Sequence, residues 1–116
     1  MTPRLFVYGT LAPGRANAHI LAAVPGTWEP ATVRGRLYAD GWGAALGYPG
    51  LVLDEAGAQV DGLVFTSDAL VAHWPRLDEF EGAGYRRVLT AATLRDGHVV
   101  DAYVYRLSRD PEADAG

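Results

Sequence analysis

Cysteine is missing altogether from the 116 residues, which excludes disulfides, a thiol nucleophile and thiolate-bound zinc. Basic residues are scarce, ten against fourteen acidic ones for a net charge of -4. They are also scattered, so nucleic acid and anionic membrane, which need clustered cations, are poor partners. No apolar run approaches the ~20 residues needed to cross a bilayer. The first eight residues, Met-Thr-Pro-Arg-Leu-Phe-Val-Tyr, lack the charged, apolar and small-residue zones of a signal peptide and read as the start of a strand. The expected compartment is the cytoplasm. His19, His73 and His98 are too dispersed to suggest a metal site, and no Gly-x-Ser-x-Gly motif supports a serine hydrolase.

What is present is the composition of a soluble globular domain, 49% apolar and 21% charged. The length suits one domain, expected over residues 1–107, with the polar stretch 108–116 as a frayed tail. Strands are expected at 4–8, 32–38, 51–53 and 59–66, from short β-prone runs punctuated by glycine. Two more, 86–94 and 99–107, flank Arg95-Asp96-Gly97, a hairpin signal. A brief helix is expected at 16–23 and a long loop at 40–50. Residues 67–80 form the longest helical stretch, with Ser67 or Asp68 able to cap it. Pro75 lacks a donor and crowds the preceding turn, which predicts a split into 68–73 and a second piece from Pro75 to Gly82. About six or seven strands and two short helices indicate an α+β chain, a curved sheet or small barrel with flanking helices.

Three features bear on chemistry. Tyr8-Gly9-Thr10-Leu11 ends the first strand in a turn whose successive N–H groups suit a small anion such as a carboxylate. An ordinary strand-to-helix turn has the same look. In Asp78-Glu79-Phe80-Glu81-Gly82, helical phase puts Glu81 on the side of Leu77 and Glu79 on the opposite side. A carboxyl at the inner end of an apolar face has its pKa raised by desolvation, as a general acid or base near neutral pH requires; a solvated last-turn glutamate is the plainer alternative. Of the tyrosines at 8, 38, 48, 85, 103 and 105, the pair Tyr103 and Tyr105 shares one strand face. Such rings line a pocket for a small organic group or simply pack the core. Trp28 and Trp42 read as exposed aromatics for an interface or a pocket rim.

Taken together and in order, these segments resemble the γ-glutamylcyclotransferase-like proteins, in particular the compact subgroup that includes γ-glutamylamine cyclotransferase. The resemblance rests on Leu5-Phe6-Val7-Tyr8-Gly9-Thr10-Leu11, Pro13-Gly14, Tyr48-Pro49-Gly50-Leu51, Leu77-Asp78-x-Phe80-Glu81-Gly82-x-x-Tyr85-x-Arg87 and Ala102-Tyr103-Val104-Tyr105. It implies a small mixed β-barrel with flanking helices. It also implies an enzyme that cyclises a γ-glutamyl amide to 5-oxoproline and a free amine, without metal or organic cofactor. Glu81 would then be the general acid/base. Tyr8, Gly9, Thr10, Leu11, Tyr85 and Tyr105 would bind the substrate, and the 40–50 loop would select the leaving amine. A non-catalytic protein that binds an amino-acid-like ligand on the same fold is the alternative.

Overall fold

The computed structural model describes residues 2–8, 19–38 and 50–108. Within them the elements run β1 (Arg4–Val7), α1 (His19–Ala22), β2 (Thr27–Tyr38), β3 (Gly50–Leu53), β4 (Ala58–Thr66), α2 (Leu70–Glu81), β5 (Tyr85–Leu94) and β6 (Val99–Leu107). The glycine loop from Gly9 to Gly14, Trp42, Tyr48, most of the expected 40–50 loop and the tail from 109 lie outside the described residues.

Five strands close on themselves in the order β2-β4-β1-β6-β5, with β5 returning to β2 at Ala31↔Leu94 and Thr32↔Thr93. β3 is an additional strand on β2. β1 and β6 run parallel and the other pairs antiparallel, so the chain has the expected α+β architecture, a mixed barrel with two helices.

Period-two alternation divides the core in two. Phe6, Val33, Val60, Val64, Ala102 and Val104 point into the barrel. Their neighbours Leu5, Val7, Phe65 and Tyr105 point outward, where Leu21 of α1 and Leu70, Trp74 and Leu77 of α2 cover them. The interior is tight at Gly62: a Cβ there would sit 2.5 Å from the Phe6 ring and 2.6 Å from the Val7 carbonyl. At the β5–β6 turn, Gly97 adopts φ 93° and the Asp96 carboxylate accepts the His98 N–H at 2.9 Å, the geometry that Asp-Gly predicts.

Three expectations need correction. The helix is not split: α2 is continuous through Pro75. Leu70, Trp74 and Leu77, all buried, recur at helical spacing and dock on one face of the barrel, which holds both halves on one axis. Pro75 and Val71, whose carbonyl the missing N–H would have met, both lie on the exposed side of the helix, so the proline costs the buried face nothing. β2 begins at Thr27 rather than 32, because residues 27–31 pair with β4 from Thr66 to Gly62 despite Pro30. Trp28 is half-buried rather than exposed; its ring lies 4.6 Å from that of Phe65.

Ser67 prepares the start of α2. Its Oγ accepts the Ala69 N–H at 3.1 Å and donates to the Pro25 carbonyl, tying the helix entry to the segment after α1. A second tie is Arg76, whose Nη2 donates to the Ile20 carbonyl at 2.9 Å.

Candidate active site

Leu70, Trp74 and Leu77 define the inward stripe of α2, and ~100° per residue carries the same stripe on to Glu81. Its carboxyl therefore lies at the inner end of an apolar face, half-buried, while Glu79 points to solvent. Desolvation pushes the Glu81 pKa up from the ordinary 4.5 to about 7. The rise corresponds to about 3 kcal/mol disfavouring the charged form within the fold. Gly82 ends the helix with φ 77°, and its N–H closes on the Asp78 carbonyl at 3.0 Å. Ser108 then fastens the following turn, its N–H and Oγ reaching the carbonyls of Gly84 and Ala83 at 2.9 and 2.8 Å. The backbone carrying Glu81 is thus held from both sides.

Opposite the helix end stands Tyr8, the residue after β1. Its hydroxyl donates to the Tyr105 carbonyl at 2.5 Å and lies within hydrogen-bond reach of the Leu51 N–H. Burial, then the nearby Tyr85 and Glu81, hold its pKa well above the ordinary phenol range. The Tyr105 hydroxyl is likewise raised, by burial first, then by its bond to Asp78 and the Asp78 charge, with a further contribution from Glu81. The Glu81 carboxyl is therefore within electrostatic range of both Tyr8 and Tyr105. Of the residues singled out in the sequence, Glu81, Tyr8, Tyr85 and Tyr105 are brought together. Gly9, Thr10 and Leu11 follow Tyr8 directly in the chain and lie outside the described residues.

The pair Tyr103 and Tyr105 does share a strand face, but that face is the one turned to α2. Tyr103 meets Trp74 edge-on at 5.2 Å, and the Tyr105 hydroxyl donates to Asp78 Oδ1 at 2.7 Å. Asp78 also receives a fork from Arg87, Nε to Oδ1 at 2.9 Å and Nη2 to Oδ2 at 3.2 Å. These bonds hold the Asp78 pKa below its ordinary value, the Arg87 bond foremost. The sequence assigned Asp78 and Arg87 no role beyond membership of a motif. Their opposite charges nine residues apart, across a glycine turn, were the available signal.

Such an arrangement offers one proton-exchanging carboxyl near neutral pH, bordered by hydroxyls and reached by the strand end that leads into Gly9-Thr10-Leu11. Among the described residues no three His, Cys, Asp or Glu side chains group as a metal set, and no helix is long and apolar enough to cross a membrane.

The chain is 30% identical to YkqA from Bacillus subtilis, with a TM-score of 0.70 over 93% of this chain and 36% of that one. It is 22% identical to an AIG2-like protein from Mus musculus, with a TM-score of 0.71 over 96% of this chain and 81% of that one. A structure described as gamma-glutamyl cyclotransferase is 17% identical and has a TM-score of 0.71 over 94% of this chain and 68% of that one. The chain thus spans about a third of the Bacillus protein's length, and the mouse and cyclotransferase likenesses, at their low identity, speak to the fold. No curated protein sequence matches. The sequence profile described as "Gamma-glutamyl cyclotransferase, AIG2-like" matches residues 5–115, so the chain belongs to that family.

Proposed function

We propose that this protein is a γ-glutamyl cyclotransferase that converts a γ-glutamyl amine or γ-glutamyl amino acid to 5-oxoproline and a free amine. The observation that carries the reading is the Glu81 carboxyl, half-buried at the end of α2, titrating at about 7 and within electrostatic range of Tyr8. Family membership supports the reaction class.

In this mechanism the N–H groups of Gly9, Thr10 and Leu11 hold the substrate α-carboxylate, while Tyr8 and Tyr85 border the glutamyl group. Glu81 takes a proton from the α-ammonium. The freed nitrogen lone pair attacks the γ-carbonyl carbon, forming the ring C–N bond. The ring nitrogen, which still carries two protons after the attack, releases one as the bond to the leaving nitrogen breaks and Glu81 passes its own proton to that nitrogen. The second proton is taken up by the departing amine, which leaves as an ammonium. Protons and charge balance without a metal or redox partner. A carboxyl titrating near 7 is present in both states at neutral pH, which suits a group that must act first as base and then as acid. Because nucleophile and electrophile belong to one molecule, holding the folded conformer supplies much of the acceleration, with effective molarities reaching ~10⁵ M or more.

The test is incubation with a panel of γ-glutamyl amines and γ-glutamyl dipeptides, read out as 5-oxoproline. Turnover of at least one member, lost by ~10²–10⁴-fold in Glu81→Gln, is the expected result. Binding without product across the panel would make the protein a ligand-binding relative, and an active Glu81→Gln variant would remove the assigned role.

A further inference from the structure

We propose that Asp78 is a positioning residue for Glu81, a clamp that fixes the last turn of α2 against β6 and β5 so that the Glu81 carboxyl stays beside Tyr8. The inference rests on the cyclotransferase reading for its catalytic consequence, and on hydrogen-bond geometry for its substance.

Asp78 lies three residues before Glu81, on the adjoining face of the helix. Its side chain accepts three bonds: from the Tyr105 hydroxyl at 2.7 Å and from Arg87 Nε and Nη2 at 2.9 and 3.2 Å. Its main-chain carbonyl accepts the Gly82 N–H at 3.0 Å, so the same residue anchors the end of the helix. Tyr105 completes the link. Its hydroxyl goes to Asp78 while its main-chain carbonyl takes the Tyr8 hydroxyl. One residue of β6 therefore spans from the helix end that carries Glu81 to the strand end that leads into Gly9.

Arg87 is itself held against two rings, its guanidinium carbon 4.4 Å from the Trp74 ring centroid and 5.2 Å from that of Tyr103. A two-pronged guanidinium–carboxylate contact fixes direction as well as distance. The Asp78 side chain is 46% exposed, and ion pairs so open to solvent contribute little to stability. What the clamp delivers is alignment, which separates it from an ordinary staple between helix and sheet. Among the described residues, Tyr8 after β1 and Tyr105 on β6 feel the Glu81 charge; Tyr85 on β5 also acts on Tyr8, and Arg87 on β5 and Asp78 on α2 also act on Tyr105.

Tyr105→Phe deletes the hydroxyl alone, leaving the ring and the carbonyl that Tyr8 uses; Asp78→Asn keeps the shape but loses charge and half of the fork. Two measurements on the full chain test the clamp: steady-state kinetics on the substrate that the wild type turns over, and a ¹³C NMR titration of the Glu81 carboxyl. Both variants should lose about 10–100-fold in kcat with KM within about threefold, the loss expected of a misplacement near 1 Å. In Tyr105→Phe the Glu81 titration midpoint should fall from about 7 towards the ordinary 4.5 as the carboxyl gains water. Should Tyr105→Phe fail to fold, Arg87→Lys, which keeps the charge but not the fork, carries the same readouts. Wild-type kcat and an unmoved midpoint overturn the clamp. The titration needs no turnover: an inactive wild type whose midpoint still falls in Tyr105→Phe refutes the enzyme and supports the clamp, whereas an active wild type with both readouts unmoved refutes the clamp alone.

Discussion

Replacing Glu81 by glutamine removes the ionisation that burial disfavours while leaving the size of the side chain nearly unchanged. The native carboxyl titrates at about 7 against an ordinary 4.5. Below about 4.5 the group is protonated in both folded and unfolded chains, and its ionisation has no effect on stability. As pH rises from there through 7, the unfolded chain releases its proton first, so the folded state is progressively weakened; above 7 the full penalty of about 3 kcal/mol is present. The glutamine variant has no such term. Its stability relative to wild type should therefore grow by about 2.5 kcal/mol between pH 5 and pH 8. Any pH-independent difference in hydrogen bonding cancels when the two pH values are compared. Urea unfolding measures it directly: with slopes of ~1–3 kcal/mol per molar, the gap between the two midpoints should widen by roughly 0.8–2.5 M. A gap that stays constant, or closes as pH rises, would refute the claim that this carboxyl is held out of water. The variant that loses turnover is thus expected to be the sturdier protein at neutral pH, a stability–function conflict at a single atom group.

Turnover should rise with pH through about 7, where Glu81 becomes able to accept a proton; a pH profile of kcat/KM checks this, and a midpoint near the ordinary 4.5 would point to a different base. Glu79→Gln, on the opposite and exposed side of α2, should leave activity and stability within ~0.5 kcal/mol of wild type, and a large loss would reverse the helical phase assigned here. Gly62→Ala should cost at least ~1–3 kcal/mol in urea unfolding, since its methyl group would meet the buried Phe6 ring at 2.5 Å.

Local signals suffice where a single element carries its own geometry. The alternation along β6 and the Asp-Gly turn before it carry their own geometry, and the phase from Leu77 to Glu81 needs only the helical period. Local rules give way where distant partners overrule them. Pro75 should interrupt a helix, yet the burial of Leu70, Trp74 and Leu77 on one surface outweighs one missing hydrogen bond. The strand is expected only from residue 32, yet β4 supplies partners from Thr27 onward, Pro30 included. The Asp78–Tyr105 bond joins residues 27 apart in the chain, a closure with no local pattern to announce it.

The pairing of β1 with β6 has a further consequence. Tyr8 finds its carbonyl partner 97 positions later, and β1 lacks one neighbour until residues 99–107 have left the ribosome. Once β4 has paired with β1, the nascent chain therefore carries an open sheet edge until β6 arrives, which invites pairing with another copy. Closure must await a contact of very long sequence separation, a topology that folds slowly. Yield on refolding should accordingly fall as protein concentration is raised.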